Sequence, residues 1–182
     1  MQAVTAYIGI GSNLADPVAQ VRQAALALEA LPQTRAIACS PLYRSKPWGL
    51  PGQPDYINAV AALETTLPAL ELLTQLQEIE TARGRVRTVR WGPRPLDLDI
   101  LLYGGLQLGG PRLTIPHPRL RERAFVLYPL RDLAPDLRLP DGTTLAELLE
   151  QCPPWELERV EESELKVSWQ VQEIPHNIGV ST

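Results

Sequence analysis

Cysteine is scarce in this chain of 182 residues: Cys39 and Cys152 are the only two, far apart and in no Cys-x-x-Cys pair. That removes disulfide scaffolds and thiolate zinc sites and leaves two reduced, mostly buried thiols. No apolar run approaches the roughly 20 residues that a membrane helix requires, so no membrane partner is expected. The first residues, Met1-Gln2-Ala3-Val4-Thr5, carry no basic region and run straight into a strand-like segment, and a cytoplasmic protein without a signal peptide is expected. Phosphate-binding loops of the Walker GKS or GKT type are absent, and Gly9-Ile10-Gly11 lacks the third glycine of a dinucleotide fingerprint because Leu14 stands there. That segment reads as a structural turn. Lysine occurs twice against fifteen arginines, a bias that genome composition produces as readily as function. Internal repeats and low-complexity tracts are missing as well.

What is present describes a globular protein. Hydrophobic residues make up 45% and charged residues 21%, and a chain of this length forms one domain that buries roughly 70% of the surface its unfolded form exposes. The net charge of -4 is unevenly spread. From Arg83 to Arg123 there are nine arginines and three acids, so that segment is +6 and the remainder -10. One basic island on an acidic protein argues for a compact anionic ligand, whereas a polynucleotide partner calls for a broad positive face. Small-molecule substrates, no nucleic acid and a monomeric state are expected.

The pattern along the chain alternates strands and helices. Val4 to Gly11 is apolar and partly β-branched, a strand stopped by Gly11-Ser12-Asn13. Asp16 as N-cap with Pro17 at the first helical position opens a helix carried by Val18, Val21, Ala25, Leu28 and Leu31. A second strand is predicted near Arg35 to Arg44 and a third over Tyr56 to Leu63, after a loop rich in Pro and Gly. Leu70, Leu73, Leu76, Ile79 and Arg83 mark one side of a second helix, and Leu96 to Tyr103 forms the fourth strand. In order this is βαββαβ, an α+β ferredoxin-like unit with an antiparallel sheet, both helices on one face and the other face open for ligands. Leu106 to Ile115 reads as a hairpin, and helical pieces follow from Glu122 to Leu133 and Leu145 to Gln151. Residues 1–152 are predicted as the functional domain and 153–182 as an acidic extension of unknown role, with Val167 to Ile174 alternating like an edge strand and His176 at the surface.

The densest chemistry lies between Gly84 and Leu101. In a strand, side chains alternate faces, so Asp97 and Asp99 share one polar surface while Leu96, Leu98 and Ile100 face the core. Two such carboxylates repel unless a cation sits between them, and hard oxygen donors suit Mg²⁺. Arg85, Arg87, Arg90 and Arg94 bring planar charged forks for phosphate oxygens into the same window. Alone, an Asp-x-Asp pair is as often a solvated strand face; combined with these arginines it reads as a magnesium nucleotide site.

Arg90-Trp91-Gly92-Pro93-Arg94-Pro95-Leu96-Asp97-Leu98-Asp99-Ile100-Leu101 resembles the motif of the 6-hydroxymethyl-7,8-dihydropterin pyrophosphokinases of folate synthesis. The resemblance extends to Tyr7 through Leu14, Tyr43-Arg44-Ser45, Gln53 through Asn58, and Leu113-Thr114-Ile115-Pro116-His117-Pro118, and covers about Val4 to Leu149. It implies that Asp97 and Asp99 hold two Mg²⁺ ions bridging the phosphates of ATP, the co-substrate, while the pterin hydroxymethyl oxygen attacks the β-phosphorus and AMP leaves. By position, Arg85, Arg94, His117 and Arg123 contact phosphate, with Arg87 and Arg112 as helpers and Arg85 and Arg94 counted with the aspartates as catalytic. Glu80, Leu73, Ile100, Leu113 and Thr114 fall near the nucleotide; separately, the glycines at 84 and 92 make the arginine loop read as a lid, and Trp91 on it is expected to close over bound ligand. Tyr56 and Phe125 sandwich the pterin, Asn58 bonds its edge, and backbone groups of Ser45, Lys46 and Trp48 complete the pocket. Lys46 and Trp48 stand where the family often has Pro and Leu. Without the resemblance, His117 reads as an ordinary structural histidine and Phe125, the one Phe in the chain, as core.

Two other readings fit the same residues. A phosphohydrolase would use the aspartates to activate water, and a ferredoxin-like regulatory module would bind a nucleotide through the arginines without turnover.

Overall fold

Strand β1 (Val4–Ser12) lies between β5 (Asp97–Tyr103) and β4 (Tyr56–Thr65), antiparallel to both. The computed structural model describes residues 2–47, 49, 51–84 and 95–160. On its far edge β4 pairs with β2 (Thr34–Cys39) at one end and with β3 (Tyr43–Ser45) at the other. Counting the strand predicted over Arg35 to Arg44 as one, the order is that of the ferredoxin-like sheet expected from the sequence.

That predicted strand is in fact two. Pro41 has no N–H to give to the ladder, and Ser40 replaces the missing pairing: its N–H donates to Val60 O at 2.8 Å and its Oγ accepts from Val60 N at 2.9 Å. The chain thus changes course between β2 and β3 without leaving β4.

Helices α1 (Pro17–Glu29) and α2 (Ala69–Ala82) pack on one sheet face, over Ala6, Ile8, Ile10, Ala61, Leu63, Leu98 and Ile100. Asp16 caps α1 as predicted, its Oδ1 accepting from Ala19 N at 3.3 Å. On α2 the buried stripe is Leu72, Leu76 and Glu80, with Leu73 and Ile79 at its flanks and Leu70 42% exposed. The predicted stripe was turned from this one because both series share Leu76 and the docking angle of the helix chooses between them.

The opposite face is not left open. Tyr7, Val60, Ala62, Leu101 and Leu102 are covered by α3 (Ala124–Leu133) and α4 (Leu145–Glu150), the latter opened by a Thr144–Glu147 capping box. A 3₁₀ turn, Leu120–Glu122, leads into α3, so the helix begins later than its predicted start at Glu122. Among the described residues, the part of this face nearest Gly9, Gly11 and Asn58 lines a cavity. The predicted hairpin is present in shorter form, with β6 (Leu108–Gly109) paired to β7 (Thr114–Ile115).

Strand β8 (Glu158–Arg159) adds to β3, and Val160 donates its N–H to Leu42 O at 2.8 Å and is buried in the α1–α2 core. The described residues thus pack together as far as Val160. Residues 161–182, including Val167 to Ile174 and His176, lie outside the described residues. Among the described residues no helix is long and apolar enough to cross a membrane.

Candidate active site

Two rows of residues cross the sheet at its accessible end. Asp97 pairs with Gly11 and Gly11 with Asn58; Asp99 pairs with Gly9 and Gly9 with Val60. Side chains of paired residues point to the same face, so the two carboxylates stand beside two positions that have no side chain at all. Gly9 and Gly11 form a flat floor, with the carboxylates on one side and Asn58 on the other. A Cβ on Gly11 would already sit 3.4 Å from Asn58 Oδ1. The cavity above this floor measures about 380 Å³. Gly9-Ile10-Gly11 lies within β1, in line with the strand predicted over Val4 to Gly11 and against the turn reading of this segment; its period of two matches that of Asp97 and Asp99.

A bulge in β5 supplies the third wall. Tyr7 pairs with Leu102 and Ile8 with Ile100, which leaves Leu101 as an extra residue whose carbonyl accepts from His117 N at 2.9 Å. This contact brings the segment after β7 across the end of the acidic strand. His117 Nε2 lies 3.9 Å from Asp99 Oδ2, and Arg123 Nη1 lies 4.0 Å from the same oxygen. His117 Nδ1 accepts from Arg119 N at 3.1 Å, so in the neutral ring the proton sits on Nε2, facing the carboxylates.

Burial pushes the pKa of His117 down from 6.5 to about 4, and the Arg123 guanidinium adds to the fall while Asp97 opposes it. The imidazole is thus a neutral donor near pH 7. In the unfolded chain the ring takes a proton below its ordinary pKa of 6.5, whereas the folded chain resists until about pH 4. Stability therefore falls as pH drops through that window. His117→Asn removes this contribution: the gap in melting temperature between the ligand-free native protein and the variant narrows from pH 7 to pH 4.5. A constant gap would contradict a buried neutral imidazole.

Asn58, 4% exposed, spends both amide hydrogens on the protein: Nδ2 donates to Ser45 Oγ at 2.8 Å and to Tyr43 O at 3.3 Å. Its Oδ1 is thereby fixed beside Gly11 at the cavity floor. Tyr56 and Phe125 line the same cavity, and the Arg123 guanidinium lies 5.5 Å from the centre of the Phe125 ring. Phe125 is thus a half-buried wall and not a core residue. Lys46 lines the rim, its Nζ 3.4 Å from Asp55 Oδ2.

Asp97, Asp99, His117, Arg123, Ser45, Lys46, Tyr56, Asn58 and Phe125 are brought together here, as the sequence suggested. Leu73, Ile100 and Leu113 pack with the α1–α2 side of the sheet, and Arg112 and Thr114 are exposed near β7, so these residues do not line the cavity. Glu80, expected near the nucleotide, is buried between α2 and β5, where its Oε1 accepts from Leu98 N at 2.8 Å. Trp48, Arg85, Arg87, Trp91 and Arg94 lie outside the described residues. Arg119 lines the cavity without having been anticipated; three arginines at alternate positions, 119, 121 and 123, gave no means of telling which face inward.

Residues 7–135 match the family of 7,8-dihydro-6-hydroxymethylpterin-pyrophosphokinases. A 2-amino-4-hydroxy-6-hydroxymethyldihydropteridine pyrophosphokinase of Pseudomonas aeruginosa is 58% identical over 154 residues, which span 85% of this chain and 95% of that protein. The enzyme of the same name from Haemophilus influenzae is 51% identical over 148 residues, 81% of this chain and 92% of that one. Among solved structures, Plasmodium falciparum HPPK-DHPS with pteroate shares the fold with a TM-score of 0.67 at 14% identity; the match covers 82% of this chain and 42% of that longer one.

Proposed function

This chain belongs to the 7,8-dihydro-6-hydroxymethylpterin-pyrophosphokinase family, and we propose that the cavity over Gly9 and Gly11 is where it carries out the family's reaction. The activity is transfer of diphosphate from ATP to the hydroxymethyl group of 6-hydroxymethyl-7,8-dihydropterin, in folate biosynthesis. The observation that carries the assignment of the site is that one cavity joins a carboxylate pair to an aromatic and amide wall across a floor without side chains.

In this reading the pterin lies between Tyr56 and Phe125 with its edge on Asn58 Oδ1, and its hydroxymethyl group points along the floor toward Asp97 and Asp99. The hydroxyl oxygen forms a bond to the β-phosphorus, the bond from that phosphorus to the α,β-bridging oxygen breaks, AMP departs with the oxygen, and the hydroxyl proton is released. The donor set fits Mg²⁺. Among the described residues no three His, Cys, Asp or Glu side chains form a cage, and Mg²⁺ is commonly held by one or two carboxylates with substrate phosphates and water supplying the rest. Two ions bound by Asp97 and Asp99 would neutralise charge that develops on the transferred group. Arg123 and the Nε2–H of neutral His117 then meet phosphate oxygens from the far wall, while Arg85 and Arg94 are assigned the same role from their positions in the motif. We infer in the same reading a monomer that works in the cytoplasm on small molecules.

Incubating the protein with ATP, Mg²⁺ and 6-hydroxymethyl-7,8-dihydropterin tests the reading directly. AMP appears in step with loss of the pterin; ADP, or inorganic phosphate released without pterin, would overturn it. The aromatic wall makes a narrower prediction. Phe125→Ala raises KM for the pterin by about ten- to a hundredfold, the equivalent of losing most of one ring's stacking and burial, while KM for ATP changes less than threefold or so. Equal effects on both substrates in steady-state kinetics would place Phe125 elsewhere.

A further inference from the structure

The buried stripe of α2 reads Leu72, Leu76, Glu80, and a carboxyl occupies a position where the packing of the helix calls for a third leucine. Glu80 is 4% exposed, and a polar group so buried persists only when it is hydrogen-bonded. Its partner is the N–H of Leu98, the residue between Asp97 and Asp99. Among the described residues strand β5 is at the edge of the sheet and pairs only with β1, so Leu98 directs this N–H to the side where no described strand follows. Glu80 occupies the place of the absent strand.

The start of β5 is held from the other side as well. The β1–β5 ladder ends at the Gly11–Asp97 pair, and Pro95, two residues earlier, has no N–H with which to extend it. Ser12, fully buried at the end of β1, donates its hydroxyl to Pro95 O. Asp97 and Leu98 are therefore bracketed by two bonds between side chains and backbone, a part-buried one from β1 and a buried one from α2.

We propose that Ser12 and Glu80 are positioning residues that clamp the acidic edge strand from both sides and hold Asp97 and Asp99 in one orientation before a magnesium nucleotide arrives. This rests on the assignment of these two aspartates as Mg²⁺ ligands. Support of this kind matters because a hard cation demands close geometry from its ligands, and an edge strand starting after a proline has little of its own. It also gives Glu80 a task distinct from the nucleotide contact expected of it: Glu80 acts through the backbone of Leu98.

Amide hydrogen exchange at Leu98 in the ligand-free protein, and calorimetry with a nonhydrolysable ATP analogue at varied Mg²⁺, test the clamp. Glu80→Ala speeds exchange at Leu98 and raises the Mg²⁺ concentration for half-maximal nucleotide binding about tenfold, the scale seen when support for a metal ligand is removed. Glu80→Gln keeps an acceptor oxygen in the same place and stays within about threefold of wild type in both measurements, by the same scale. Ser12→Ala shifts the Mg²⁺ requirement in the same direction, and Ser12→Thr, which retains the hydroxyl, restores it. The proposal is overturned if Leu98 exchange and the Mg²⁺ requirement are unchanged in Glu80→Ala. It is equally overturned if Glu80→Gln loses nucleotide binding while Leu98 stays protected, since Glu80 would then touch the ligand itself. Should Asp97→Asn leave the Mg²⁺ dependence of nucleotide binding intact, the metal assignment fails and the purpose of the clamp with it, while Leu98 exchange still reports separately whether the bond to Glu80 exists.

Discussion

Asp97→Ala abolishes nearly all diphosphate transfer, lowering kcat by roughly a thousandfold or more, which corresponds to about 4 kcal/mol of transition-state stabilisation. The size of the effect follows from what the carboxylate faces. Asp97 and Asp99 share one side of β5 and look across the glycine floor at the site assigned to the pterin hydroxymethyl group. On the proposed reading, Asp97 would hold one of the cations that neutralise charge building on the transferred phosphoryl oxygens. Asp97→Asn keeps the shape and loses the charge, and it falls by a similar factor. Binding of the pterin alone, followed by quenching of protein fluorescence, changes little in either variant because Tyr56, Asn58 and Phe125 are untouched. A loss of kcat below tenfold under saturating Mg²⁺ would remove Asp97 from the metal site and favour a module that binds nucleotides without turning them over.

How far the sequence carried this picture depends on the kind of signal each element left. The alternation through Leu96, Asp97, Leu98, Asp99 and Ile100 placed the carboxylates on one face and the aliphatic residues in the core, and the structure agrees residue by residue. Asp16 and Pro17 marked the start of α1 because capping is a local event. The break at Ser40 and Pro41 was not legible, since a side chain takes over a ladder position and the apolar pattern continues across it. Nor was the roof of α3 and α4: the sequence showed helical segments after the sheet but carried no local cue to which face they would cover. Gly9 and Gly11 left only part of their signal in the sequence. Their period of two was legible, but that they form a floor shows only once Asn58 and the aspartates are known to stand on either side. Glu80 is a charged residue on a helix that the family resemblance places near the nucleotide, and the fold adds what no local pattern carried, its bond to the backbone of Leu98.

Arg123→Ala is the second large effect expected, a drop of about a hundred- to a thousandfold in kcat/KM for ATP, or about 3 to 4 kcal/mol. The Arg123 side chain is only 14% exposed, yet it lines the cavity and its Nη1 stands 4.0 Å from Asp99 Oδ2. Burial pushes its pKa down while Asp99 and Asp97 push it back up, so the fold retains a charge there against the cost of desolvation. Among the described residues its Nε has no hydrogen-bond partner, an arrangement that costs about 1 to 3 kcal/mol in a buried donor. A fold that stability alone had shaped would fill this position with an apolar side chain over Phe125. On the proposed reading, an anion that arrives later would justify the charge: phosphate oxygens of the nucleotide would meet a fork already desolvated, with Phe125 beneath it and Asp99 beside it. Most of the loss should then appear in kcat, because the contact tightens as charge moves onto the leaving AMP. Arg123→Lys recovers only part of the rate, since a point charge on a flexible stem cannot make two parallel bonds. If Arg123→Lys matches wild type in steady-state kinetics, the residue serves as a distant positive charge and the assigned contact with phosphate is wrong.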